Sequence, residues 1–202
     1  MMDREKNAGL APPEAAGSLA GFTLLEVIIA LSIFVIIALI IASAFVSHYR
    51  LYNFSAVQSD LKSQSISILD RISRVANESS AIAASHAFGS LTLTSTSTTI
   101  VFQLPAKDAS DNIISGVYDY IAFKKSPTST ILYEYIDGGA GSIRKTSGKT
   151  LSLFVSNVIF RYNSSVASNS TNAEALLTLV KTLSGAEKTY TNSTTVYLRN
   201  KQ

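Results

Sequence analysis

The chain has 202 residues, 47% of them hydrophobic and 15% charged, with no cysteine and a formal net charge of +3. That composition is too apolar for a disordered chain, and it excludes disulfides, zinc–thiolate sites, thiol nucleophiles and a lipid-bearing cysteine. The weak positive balance, clustered only at Lys124-Lys125 and Arg144-Lys145-Lys149, leaves no footprint for nucleic acid.

Residues 1–21 read as a leader. They are small and polar, contain Pro12-Pro13, show no periodicity, and carry Asp3, Glu5 and Glu14 against Arg4 and Lys6. From Phe22 to Phe45 the run FTLLEVIIALSIFVIIALIIASAF has Glu26 as its only charge. At about 24 residues it is long enough for one helix to cross a hydrocarbon core of about 30 Å. The helical pattern then continues as a stripe of Leu51, Phe54, Val57, Leu61, Ile68, Ile72 and Val75 on an otherwise polar helix. This predicts a helix from Phe22 to about Ser80 within a helical region 22–85, transmembrane over 22–45 and amphipathic thereafter.

The remainder, 86–202, turns to Ser, Thr, Val, Ile, Tyr and Phe with Gly and Asn punctuation, and reads as a β-rich extracytoplasmic head. Strands are predicted at Ser90–Ser95, Thr98–Leu104, Val117–Lys125, Ile131–Ile136, Leu151–Asn163, Ala175–Leu183 and Thr194–Arg199. Turn signals stand at Asp111-Asn112, Ser126-Pro127, Gly138-Gly139-Ala140-Gly141 and Ser164–Asn172. With no β-to-helix alternation, the expected fold class is α+β: a long helix packed on an antiparallel sheet.

The block Gly21-Phe22-Thr23-Leu24-Leu25-Glu26, followed by Val27-Ile28-Ile29-Ala30-Leu31, resembles the processing motif of type IV pilins and pseudopilins. The resemblance implies a pilin-like fold and cleavage after Gly21 by a membrane prepilin peptidase. It also implies N-methylation of Phe22 as the new amino terminus, and an assembly role for Glu26 opposite a neighbouring subunit's terminal amine. The motif covers about 30 residues, and each position has a physical reason. Glycine lets a protease approach the backbone closely, and a carboxylate in an apolar helix is costly enough to call for a partner.

Two other readings of this segment stay open. Glu26 near a helix N-terminus is favoured by the macrodipole without any partner. Ala42-Ser43-Ala44 matches the small-x-small pattern of a secretory signal, although the apolar run before it exceeds the usual 7 to 15 residues. Ala20 departs from the family pattern, which often has Lys or Arg before the glycine. A looser similarity to J-type pseudopilins rests on Gln58-Ser59-Asp60-Leu61, Phe154-Val155-Ser156-Asn157, Val158-Ile159-Phe160-Arg161-Tyr162 and Val196-Tyr197-Leu198-Arg199-Asn200. Glu26 argues against the K-type tip subunit, whose members typically lack it.

Elsewhere the chemistry is sparse. His48 and His86 have no carboxylate pair beside them in sequence, so no metal site and no cofactor is expected. Asp108, Ser110, Asp111 and Asn112 offer oxygens but lack the glycine and terminal glutamate of an EF-hand, and read as a turn. No G-x-S-x-G, S-x-x-K or framed acidic pair appears, so no enzyme is expected. Tyr118, Tyr120, Tyr133 and Tyr135 alternate on neighbouring strands and are expected to pack across strands under the helix, or to line a binding surface.

The resemblance implies partners: other pilins or pseudopilins, the prepilin peptidase, an inner-membrane assembly platform and lipid. It implies a single-pass inner-membrane protein that becomes part of a pilus or of a type II secretion-like pseudopilus. A membrane-tethered binding module, an adhesin or receptor head, is the competing function class.

Overall fold

The computed structural model describes residues 21–183 and 185–198, which fall in two compact units, one ending at Tyr49 and one beginning at Arg50. The predicted leader before Gly21 lies outside the described residues. Helix α1 spans Leu24–Glu78, a stretch with no Gly or Pro to interrupt it. It stops where Ser79 turns back on it: the Ser79 hydroxyl donates to Val75 O at 2.6 Å and its N–H to Ala76 O at 3.0 Å. Ser80 N–H then donates to Gln103 O at 2.9 Å, which starts the head.

In the first unit every described residue of α1 is exposed, Leu, Ile, Val and Phe included. By length and composition this segment suffices to cross a membrane.

In the second unit α1 meets antiparallel strands. One sheet has the order β1-β4-β5-β6-β7, built from Ala81–Ile82, Thr99–Lys107, Ile113–Lys125, Leu132–Asp137 and Ser147–Ser152. A second has the order β10-β9-β8, from Ala186–Tyr197, Asn172–Leu183 and Val155–Tyr162. A small hairpin pairs β2 (Ser85–Phe88) with β3 (Leu91–Thr94), turning at Gly89, whose φ of 61° suits glycine. The fold is therefore α+β. The main core joins Leu61, Ile68, Ile72 and Val75 of α1 to Phe102 and Phe123 of the first sheet and to Val158, Leu177 and Leu179 of the second.

The structure differs from the sequence expectation in three respects. Two principal sheets stand where one was expected, because the Leu151–Asn163 run is cut at Leu153-Phe154. There Phe154 N–H donates to Ser152 Oγ at 3.1 Å and the chain leaves β7 for β8. Strands β1, β2 and β7 were not anticipated, and β10 begins at Ala186 rather than Thr194. Tyr120 and Tyr135 do pack across strands, but against Phe88, Leu93, Val101 and Ala122 on the sheet face opposite the helix. The hairpin β2–β3 covers that face and holds His86 stacked on Tyr120, with ring centroids 3.6 Å apart and a bond to Asp137 at 2.9 Å.

Two fully buried carboxylates sit on the helix side of the first sheet. Glu134 Oε1 accepts from Arg71 Nε at 2.8 Å and Nη2 at 2.6 Å, while Lys149 Nζ lies 2.8 Å from Oε2 as an ion pair without hydrogen-bond alignment. Asp119 accepts from Gly139 N–H at 2.8 Å, the Ser142 hydroxyl at 2.8 Å and Arg144 Nη1 at 2.7 Å. Arg144 also donates to Glu78 Oε2 at 2.6 Å, so the 138–146 loop ties the helix end to the sheet. Glycine is required for this wrap: a Cβ at Gly139 would lie 2.7 Å from Tyr118 O, and one at Gly138 would collide with Arg144 O.

Arg144→Met keeps the stem and removes the guanidinium, leaving Asp119 buried without its counter-charge. We expect a loss of about 3 kcal/mol or more, read as a lowered urea midpoint. An unchanged midpoint would assign Asp119 to its Gly139 and Ser142 bonds alone.

Candidate functional site

The site is the start of α1. Gly21, Phe22 and Thr23 precede the helix, and Leu24 is its first residue. Thr23 sits where an N-cap belongs: its hydroxyl accepts from Glu26 N–H at 3.3 Å. Glu26 reaches back in turn, its Oε2 accepting from Thr23 N–H at 2.9 Å and from the Thr23 hydroxyl at 3.0 Å. This reciprocal pair is a capping box, and it satisfies amides that the first turn of a helix leaves without intrahelical partners. Both bonds use Oε2, and among the described residues Oε1 has no hydrogen-bond partner.

Glu26 shares its side of the helix with other motif residues. Phe22, Glu26, Val27, Ala30, Leu31 and Phe34 line one open groove along α1. Ala30, one turn after Glu26, is the smallest side chain lining this groove. Gly21 is uncrowded: a Cβ built on it meets nothing within 4 Å. The structure thus brings Phe22 and Glu26 to one face and leaves Gly21 accessible. The sequence reading missed Thr23, although its signal was present in the T-x-x-E spacing.

The remaining candidates take structural places. Asp108 Oδ1 accepts from Ser110 N–H at 2.8 Å and Asn112 N–H at 3.0 Å, closing the β4–β5 turn. These bonds, that from Asn112 first, hold its carboxyl below the usual aspartate range. Asp111 has a φ of 64° and pairs with Lys107 at 2.9 Å. Among the described residues no group of three or more His, Asp or Glu is placed to hold a metal ion. His48 is an exposed residue of α1, and Ala42-Ser43-Ala44 is helical, with the Ser43 hydroxyl donating to Ile40 O at 2.8 Å.

Comparison with protein-family models, curated proteins and solved structures finds no match. The functional reading therefore rests on the residues themselves: the Gly-Phe junction, the capped glutamate, an uncovered apolar helix and a β head.

Proposed function

We propose that this chain is a minor pilin or pseudopilin, a structural and assembly subunit of a type IV pilus or a type II secretion-like filament. Cleavage after Gly21 by a prepilin peptidase frees Phe22, which is then methylated, and α1 holds the subunit in the inner membrane until an assembly platform transfers it to the filament. The observation that carries this reading is the groove face of α1. It sets a carboxylate among Phe22, Ala30 and Phe34 on a helix segment that is exposed throughout the described residues of the first unit. An apolar surface this continuous belongs in lipid or against other helices, and a carboxylate there is stable only with a counter-charge.

The first test is processing. Co-expression with a prepilin peptidase is expected to yield a mature chain beginning at Phe22, identified by mass spectrometry. Gly21→Val is expected to block the cut by setting a β-branched side chain where the enzyme meets the backbone. Because no described residue lies within 4 Å of a Cβ built on Gly21, such a block is expected to report on the peptidase. A mature chain beginning at Phe45 would instead assign the segment to the general signal peptidase and end the filament reading. A tethered adhesin or receptor head needs no cut at Gly21, so the same measurement separates the two function classes.

A further inference from the structure

Every open sheet must manage its edge strands, since unpaired N–H and C=O groups recruit other strands. Most edges in this head are short, irregular or tied down. Strand β1 has two residues, and β7 has six with a register shift opposite Leu132 and Tyr133. Strand β8 is bulged between Val155 and Asn157 and is held from outside, with Val155 N–H donating to Thr130 O and Phe160 N–H to Ser97 O, both at 2.7 Å.

Strand β10 is long and regular by comparison, although its start borders Phe54 and Gln58 of α1 and one outward donor, Ser193 N–H, is met by a side chain. It runs for 12 residues in unbroken register with β9, contains no Pro, and carries its charges, Glu187 and Lys188, only at its start. Its alternation can be assigned from the far end of the ladder, where Leu198 N–H donates to Thr171 O at 2.9 Å, next to the Tyr197–Asn172 pair. Even-numbered residues therefore bond to β9, and alternation turns the N–H and C=O groups of Glu187, Thr189, Thr191, Ser193 and Thr195 outward. Ser193 agrees, since its N–H is met by the neighbouring Asn192 Oδ1 at 3.0 Å rather than by β9.

We propose that the β10 edge from Glu187 to Thr195 accepts an added strand from a different polypeptide. The occupant is an extended, uncharged segment of β-branched and hydroxyl residues, antiparallel to β10, with a basic residue at its carboxyl end beside Glu187. The main-chain row supplies affinity, and the small side chains of Thr189, Thr191, Ser193 and Thr195 set the class of strand admitted. A second copy of this chain is a poorer occupant. Two β10 edges paired antiparallel are related by a two-fold axis normal to the sheet, which reverses the helix packed on it, and two chains anchored in one membrane run their helices the same way. That exclusion rests on the membrane-anchor reading; the edge itself does not.

The test uses the full chain in detergent micelles and a fluorescent peptide of about ten alternating threonines and valines ending in arginine. Saturable binding is expected by fluorescence anisotropy. Thr191→Pro is expected to weaken it roughly tenfold or more, because proline removes an outward N–H while sparing the β9 ladder. Should Thr191→Pro lose the native circular dichroism spectrum, Thr191→Lys tests the same edge by adding a charge without touching the backbone. Absence of saturable binding to the native chain, or equal binding to a folded edge variant, overturns the proposal. Disulfide-linked dimers of Thr191→Cys in membranes, unambiguous in a chain without cysteine, would give the edge to a second copy and overturn it equally.

Discussion

Glu26→Gln is expected to be cut normally after Gly21 and to fail to enter filaments. Glutamine is the other residue that completes a capping box, so the bonds to Thr23 persist and the helix begins where it did. Only the charge is lost. A single subunit in lipid is expected to tolerate that change, because on the proposed anchoring the first turn reaches the interface and a neutral amide is easier to place there than a carboxylate. In a dry bundle of helices the loss falls on the partner: the terminal amine of a neighbouring Phe22 would be buried without its counter-ion. Leader removal by gel shift and incorporation into sheared filaments by immunoblot, measured on the same cells, separate the two effects. Normal incorporation of the variant would confine Glu26 to capping its own helix.

Ile72→Asp is expected to destabilise the head by about 3 to 5 kcal/mol. Ile72 is completely buried in the core that joins α1 to both principal sheets. Arg71, its neighbour in sequence, is already engaged with Glu134. An aspartate at 72 therefore enters an apolar layer without a partner. The measurement is urea unfolding of a chain beginning near Asn53, which retains the packed part of the stripe and is expected to be soluble and monomeric. Ile72→Val, expected to cost about 1 kcal/mol, controls for the loss of volume. Equal stability of native and Ile72→Asp heads would mean that this face of the helix does not meet the sheets in solution.

The helix was the most legible element, because its signal is local. An apolar run followed by Val57, Leu61, Ile68, Ile72 and Val75 at helical spacing needs no knowledge of what it packs against. The stripe is nevertheless shorter than it reads: Leu51 is exposed, and Phe54 lies under Lys188 Nζ, 4.6 Å from the ring centroid, rather than in the core. Strands with a buried face, such as Ile100, Phe102 and Leu104 on β4, were also legible through their alternation. β7, with the sequence SGKTLS, was not, because an edge strand with four exposed residues has no apolar period to display. The stretch of β10 before Thr194 was hidden for the same reason.

At the candidate site Gly21, Phe22 and Glu26 stood out because their block resembles a pilin processing motif, whereas Thr23 was available from the T-x-x-E spacing itself. The buried ionic ties were beyond reach, since Arg71 and Glu134 are 63 positions apart and nothing in either neighbourhood marks the other.

Ion pairs between the helix and the strands, buried and exposed alike, have a consequence for how the second unit would respond to force. In the second unit Asp60 pairs with Lys181 at 3.0 Å, Arg71 with Glu134 at 2.6 Å and Glu78 with Arg144 at 2.6 Å, each joining the helix to a strand or to the loop leaving one. They are spaced along the helix by roughly 16 and 10 Å, taking a rise of about 1.5 Å per residue. A pull along the helix axis loads these links together, as rivets in shear, instead of peeling them one at a time. Rupture then requires the packed stripe and the pairs to slip together, and resistance to force is set by the rate of that concerted step rather than by equilibrium stability.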